Sequence, residues 1–210
     1  MNSGFLNFGH YAIPWPALST PSSRATLFFM ENSLSLTKYW LENIVIGLDL
    51  CPFARVPFEK GLIRMVECMD VEEDDQIVFF LDELELLNQT VASDISTTII
   101  TYLYASDDFS SFNDFVGELE YMLEEAGLEK NFQLVSFHPK FVFENTNFDE
   151  IGNLVNRSPF PILHILRSEE IALAMKNPKD GEVISFNNDK KLNGLSKNSI
   201  AQLFYYLEKK

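Results

Sequence analysis

The sequence predicts an α/β protein, with a mixed or mostly parallel sheet of about four strands flanked by helices. Two observations predict it. Short runs rich in Thr, Ile, Val and Phe alternate with longer stretches whose apolar residues recur at three- and four-residue spacing. Strands separated by helices join through right-handed crossovers, which lay helices on the faces of a sheet. The periodicity leaves the strand order open.

Residues 1–32 read as a loose extension, rich in Ser, Pro, Asn and scattered aromatics and without sustained periodicity. No basic cluster precedes an apolar run there, so it is not a secretory signal. Met30, just ahead of the first clear helix, is an alternative start of translation. Residues 33–178 form the expected core domain. Leu36, Trp40, Ile44 and Leu48 make one helical stripe, which Pro52 ends near Leu50 and Pro57 keeps from restarting at length. Leu62 to Met69 reads as a strand. Asp74 and Asp75 open a helix with Ile77, Phe80, Leu81, Leu84 and Leu87 on its apolar face, and Ser96 to Tyr104 reads as a buried strand. The next helix is capped by Ser111, carries Phe112, Phe115, Val116, Leu119, Met122, Leu123 and Ala126 as its stripe, and stops at Gly127. Phe132 to Phe137 follows as a strand, and residues 138–161 as a long irregular connection. Ile162 to Leu166 is a strand, and Ser168 caps a short helix with Glu169 and Glu170 in its first turn. Residues 179–210 read as a polar linker, to Asn193, and a last amphipathic helix docked on the core through Ile200, Leu203, Phe204 and Leu207.

Composition narrows the function classes. The 210 residues carry a formal net charge of -15, which disfavours phosphate backbones and anionic bilayers, so neither nucleic acid nor membrane is an expected partner. No apolar run approaches the roughly 20 residues of a spanning helix. Two cysteines, Cys51 and Cys68, with no CxxC spacing, fit a reducing, cytoplasmic compartment. No dinucleotide fingerprint, phosphate-binding loop, hydrolase elbow or zinc spacing is present, so no cofactor or metal site is read.

Three segments carry candidate chemistry. In Leu50-Cys51-Pro52-Phe53-Ala54-Arg55, a thiol beside a cation at a helix boundary can act as a nucleophile, and equally can be a small buried hydrophobe. In Ser136-Phe137-His138-Pro139, His138 sits where open α/β sheets place ligand groups, as acid or base or as a loop brace. In Asn156-Arg157-Ser158-Pro159-Phe160-Pro161, followed by His164 and Arg167, a proline-stiffened loop offers a clamp for a carboxylate or phosphate, or braces its own carbonyls. The chain has five arginines, and four of them, Arg55, Arg64, Arg157 and Arg167, lie in or near these segments. Recognition of a small anion accounts for that clustering, with structural pairing as its competitor.

These segments, with Trp40 and Val45-Ile46-Gly47-Leu48-Asp49-Leu50 ahead of them, resemble the bacterial family catalogued as domain of unknown function 1415, over about Leu36 to Met175. The resemblance implies that the three segments belong together and assigns no catalytic role. The expected function is an enzyme acting on, or a protein binding, a small anionic metabolite. Cys51 and His138 are its candidate catalytic residues, and Arg55, Asn156, Arg157, Ser158, His164 and Arg167 its binding residues. A non-catalytic module contacting a partner through Phe53, Phe137, Phe141, Phe143 and Phe160 is the alternative. A thiol redox protein, which requires a thiol near Cys51, is another.

Overall fold

A computed structural model of the chain describes residues 33–175, 177 and 179–207, so the extension and Met30 lie outside the described residues. Helix α1 covers residues 33–46 and is wound as a π-helix over Trp40–Ile46. The wider turn points Trp40, Leu41, Ile44, Val45 and Ile46 all into the core, a broader face than the expected four-residue stripe. Its exit is sharp. A Cβ at Gly47 would lie 2.3 Å from the backbone oxygen of Asn43, and Asp49 takes a positive φ of 51°.

After the short helix α2 (Arg55–Glu59) come β1 (Ile63–Cys68), α3 (Glu73–Gln89), β2 (Thr97–Tyr102), α4 (Phe109–Glu125) and β3 (Phe132–Phe137). A 3-10 turn (Ile151–Asn156) interrupts the long connection to β4 (Ile162–Arg167), and α5 (Ser168–Ala174), α6 (Asp180–Asn193), α7 (Lys197–Leu203) and a 3-10 turn (Tyr205–Leu207) complete the described chain. The four strands form one sheet in the order β1-β2-β4-β3. β1 and β2 run parallel, whereas β4 lies antiparallel to both β2 and β3, so the sheet is mixed.

Alternation along the strands gives the sheet two apolar faces. On the first, Cys68, Ile100, Tyr102, Phe132, Leu163 and Ile165 pack under α3 and α4, which supply Phe80, Leu84, Leu87, Phe112, Phe115 and Leu119. Each large side chain sealed there contributes about 1.5–3 kcal/mol. On the second face, Ile99 and Ile162 meet Trp40 and Ile44 of α1, Leu192 of α6, and Phe204 and Tyr206 near the end of the chain.

Three local readings are corrected. Asp108, not Ser111, caps α4, its carboxylate accepting from the Ser111 backbone N–H at 3.0 Å. Ser168 is the first helical residue of α5 rather than its cap, and its buried hydroxyl has no partner among the described residues. The stretch read as a polar linker is α6, held to the core by Leu192 and by Asn188, whose Nδ2 donates to the Leu50 carbonyl at 2.9 Å. A helix with only Asn188 and Leu192 buried shows almost no apolar stripe, which is why its sequence reads as linker.

Gly47 gives the first prediction. The Cβ of Gly47→Ala would collide with backbone that cannot rotate away, so the variant should lose about 2 kcal/mol or more, read as a lower urea midpoint at unchanged slope.

Candidate functional site

Helix α1 and the chain end do not cover the whole second face. Trp40 stacks edge-on against Phe137 at 4.9 Å and Thr37 bonds Thr101 at 3.1 Å, closing one end of the sheet. At the other end Ile63, Thr97, His164, Leu166, Gln133 and Val135 floor a pocket of about 550 Å³. One wall is the Cys51–Pro57 segment, which Pro52 and Pro57 keep from becoming a long helix, and the other is α5. Apart from Cys51, the polar lining is one group: Ser96, Thr97, Gln133, His164, Arg167 and Glu170. The rest is aliphatic, aromatic or proline.

Hydrogen bonds order that polar group. Ser96 Oγ donates to Glu170 Oε2 at 2.5 Å, joining the start of β2 to α5. Thr97 Oγ1 lies 2.6 Å from the Ile165 carbonyl and 2.6 Å from His164 Nε2. A carbonyl only accepts, so the single hydroxyl proton goes to Ile165 and the imidazole must donate to Thr97 through Nε2–H. Nδ1 is then the accepting nitrogen of a neutral ring, and it has no hydrogen-bond partner among the described residues. Burial pulls the His164 pKa down from 6.5 to about 4, which keeps the ring uncharged at neutral pH. Cys51, half-buried in the wall, has its thiol pushed up by burial, only partly offset by the backbone N–H groups of Phe53 and Ala54. That is the opposite of an activated nucleophile.

A family model described as protein of unknown function, DUF1415, matches residues 32–202. The chain belongs to this family. No match was found among curated proteins or solved structures. The DUF1415 match extends beyond the core segments to α6 and most of α7, and Leu192 of α6 and Phe204, just past α7, pack on the second face.

In this DUF1415 member the three candidate segments separate into two places. Cys51, His164 and Arg167 line the pocket. His138, Asn156, Arg157 and Ser158 do not; they form a brace at the opposite end of the sheet. His138 is 1% exposed and stacked on Phe112, its backbone N–H donating to the Asn156 carbonyl. Its Nε2 donates to the Ser106 carbonyl at 3.1 Å and its Nδ1 accepts from the Lys140 N–H at 3.0 Å, so both ring nitrogens serve the loop. Arg157 is buried, donates to the carbonyls of Phe141 and Phe148 at 3.2 and 2.5 Å, and stands 4.3 Å over the Phe148 ring. Ser158 is buried and donates to the Phe160 carbonyl. Arg55 lies outside the pocket, half-exposed, donating to the Ile46 carbonyl and 3.9 Å from Glu59.

Arg167 touches the pocket but is committed elsewhere, donating to the carbonyls of Leu87, Thr90 and Ile95, where α3 ends. Arg64 grips Glu83 through two bonds of 2.7 and 2.8 Å. The pocket residues that the motif reading passed over are Ser96, Thr97, Gln133 and Glu170. Alternation in β2 and β4 was the available signal, since period two places Thr97 with Ile99 and His164 with Leu166 on one face. Cys68 is sealed in the first face, with its thiol pushed up to about 12 by burial, so the sheet separates it from Cys51. Among the described residues no three His, Cys, Asp or Glu side chains are arranged to hold a metal ion, and no helix is long and apolar enough to cross a membrane.

Arg157→Ala leaves the Phe141 carbonyl without a donor and the Phe148 carbonyl with only the 3.3 Å bond from Asn153 Nδ2, so it should destabilise the protein by about 1–3 kcal/mol in the absence of any ligand, measured by urea unfolding; an unchanged midpoint would free Arg157 for ligand binding. His164 sets a pH dependence. Between pH 6.5 and about 4 the unfolded chain takes up a proton that the folded ring refuses, so stability falls as pH drops through that window. The loss at full depth is about 3 kcal/mol, and urea midpoints at pH 7 and pH 4.5 should show it in the wild type and not in His164→Gln.

Proposed function

We propose that the protein binds a small, largely apolar molecule in the pocket between the Cys51–Pro57 segment and α5, with the ligand's polar end among Thr97, His164 and Glu170. The observation that carries this reading is the lining: a concavity of about 550 Å³, apolar except for one converging polar group, has the size and composition of a small-molecule site. The described arginines support a different ligand from the anionic metabolite that their clustering suggested. Arg55, Arg157 and Arg167 serve main-chain carbonyls and Arg64 serves Glu83, while Glu170 places a carboxylate in the pocket itself. An apolar body with an uncharged polar end fits those surroundings better than an anion, because burying an unpaired charge is costly.

An enzymatic form of this reading rests on His164, the one pocket imidazole, and gains little from a thiol that burial keeps protonated. The partner-binding alternative has less support, since Phe137, Phe141 and Phe160 pack inside the fold and only Phe143 and Phe148 of the long connection are well exposed.

A thermal-shift screen against aliphatic and aromatic alcohols, amides and acids tests the pocket. A ligand at a hundredfold excess over its Kd should raise the wild-type Tm by about 5–10 °C. The same ligand should leave the Tm of Val135→Trp, whose indole fills the floor of the pocket, unmoved. Silence from the wild type across all three classes would remove the reading and favour a protein partner.

A further inference from the structure

Strand register sets the Thr97–His164 pair at the polar end of the pocket. Thr97 pairs with Leu166 across β2 and β4, and His164 pairs with Ile99 one step along, so the hydroxyl and the imidazole are diagonal neighbours on the second face. The Ile165 carbonyl points back at Thr97 and takes its only proton. His164 therefore has no choice of tautomer. Its Nε2–H is consumed by Thr97, and the nitrogen left over is an acceptor without a hydrogen-bond partner among the described residues, on a side chain that lines the pocket. The Ser96–Glu170 pair and Arg167 point the same way, whereas the Gln133 amide can donate or accept. Ser96 gives its proton to Glu170, so this pair also meets a ligand with acceptor oxygens, and Arg167 spends Nε and Nη2 on the end of α3.

We propose that the pocket selects molecules whose polar end is an uncharged hydrogen-bond donor, of the phenol or alcohol class, and that Thr97 is the positioning residue that imposes this choice by locking His164 with Nε2 protonated. This rests on the pocket reading above and sharpens it from a site to a substrate class. A phenol hydroxyl donates to Nδ1 and seats its ring against Phe53, Val135 and Phe137. Its methyl ether has the same apolar body and no proton to give. A carboxylate brings a charge toward Glu170 and lone pairs toward Nδ1, so both features reject it.

The test uses three matched probes, 4-propylphenol, 4-propylanisole and 4-propylbenzoate, titrated calorimetrically into the full chain at pH 7. The phenol should bind about tenfold more tightly than either of the others, the worth of one buried hydrogen bond that only the phenol makes. In Thr97→Val the phenol-to-anisole preference should collapse to within about twofold, and Thr97→Ser, which retains the hydroxyl, should restore it. Nitrogen-15 NMR of the His164 ring gives a readout that a merely structural threonine would not move. The wild type should show Nε2 protonated and Nδ1 bare, and Thr97→Val a mixture of tautomers. Should Thr97→Val fail to fold, the wild-type tautomer and the phenol-to-anisole ratio still decide the matter. Equal binding of phenol and anisole, or a wild-type ring protonated on Nδ1, overturns the donor selection while leaving the pocket standing. Binding of none of the three overturns the pocket itself.

Discussion

Everything on the second face of the sheet depends on where β4 lies. A strand inserted antiparallel between β2 and β3 has neighbours on both edges and helices or pocket on both faces, and Ile162, Leu163 and Ile165 in it are wholly buried. Such a strand reads as a near-continuous apolar run, and a polar side chain within it must find a partner or cost the protein stability. His164 is that side chain. Its partner is a threonine from the adjacent strand, itself fixed by a backbone carbonyl of β4, so satisfying the core also orients the imidazole toward the uncovered half of the face. The fold and the site share one interaction.

The two described histidines show what decides between brace and site. His138 stands just past β3, at the strand end where α/β sheets commonly place ligands, and is consumed on both nitrogens by backbone groups. The rule fails here for a steric reason. Trp40, packed on Phe137, and the aromatic layer of Phe109, Phe112 and Phe141 around His138 fill that end of the sheet. The opening is left at the opposite end, where β1, β2 and β3 begin and β4 finishes, because the proline-broken Cys51–Pro57 segment and the short α5 arch over the sheet without filling it.

How much of this the sequence disclosed follows from the period of each signal. Strands β1 to β4 and helices α3 and α4 are legible because their apolar residues repeat at two or at three to four residues over a full element. Helix α6 is not, since Asn188 and Leu192 are the only side chains it buries, and a hydrogen bond to the Leu50 carbonyl rather than an apolar stripe anchors it. The π-wound end of α1 is equally invisible, because one extra residue per turn leaves no mark on composition. The site was half legible. Cys51, His164 and Arg167 stand in segments with uncommon residue combinations, whereas Thr97, Gln133 and Glu170 meet them only through cross-strand register, which local spacing does not encode.

The arginines carry the remaining lesson. A cluster of guanidinium groups in a chain of net charge -15 suggests an anion site on charge grounds alone, yet the carbonyls left over at chain irregularities compete for the same donors. Arg167 ties three carbonyls around the end of α3, Arg157 ties two in the long connection, and Arg55 ties one at the end of α1. The first and last are places where a helix stops, and the second is an irregular stretch whose carbonyls have no ladder partner. That use of arginine serves the backbone, and in the pocket that α1 leaves uncovered on the sheet Arg167 is already committed to carbonyls while Glu170 stands as the carboxylate of the lining.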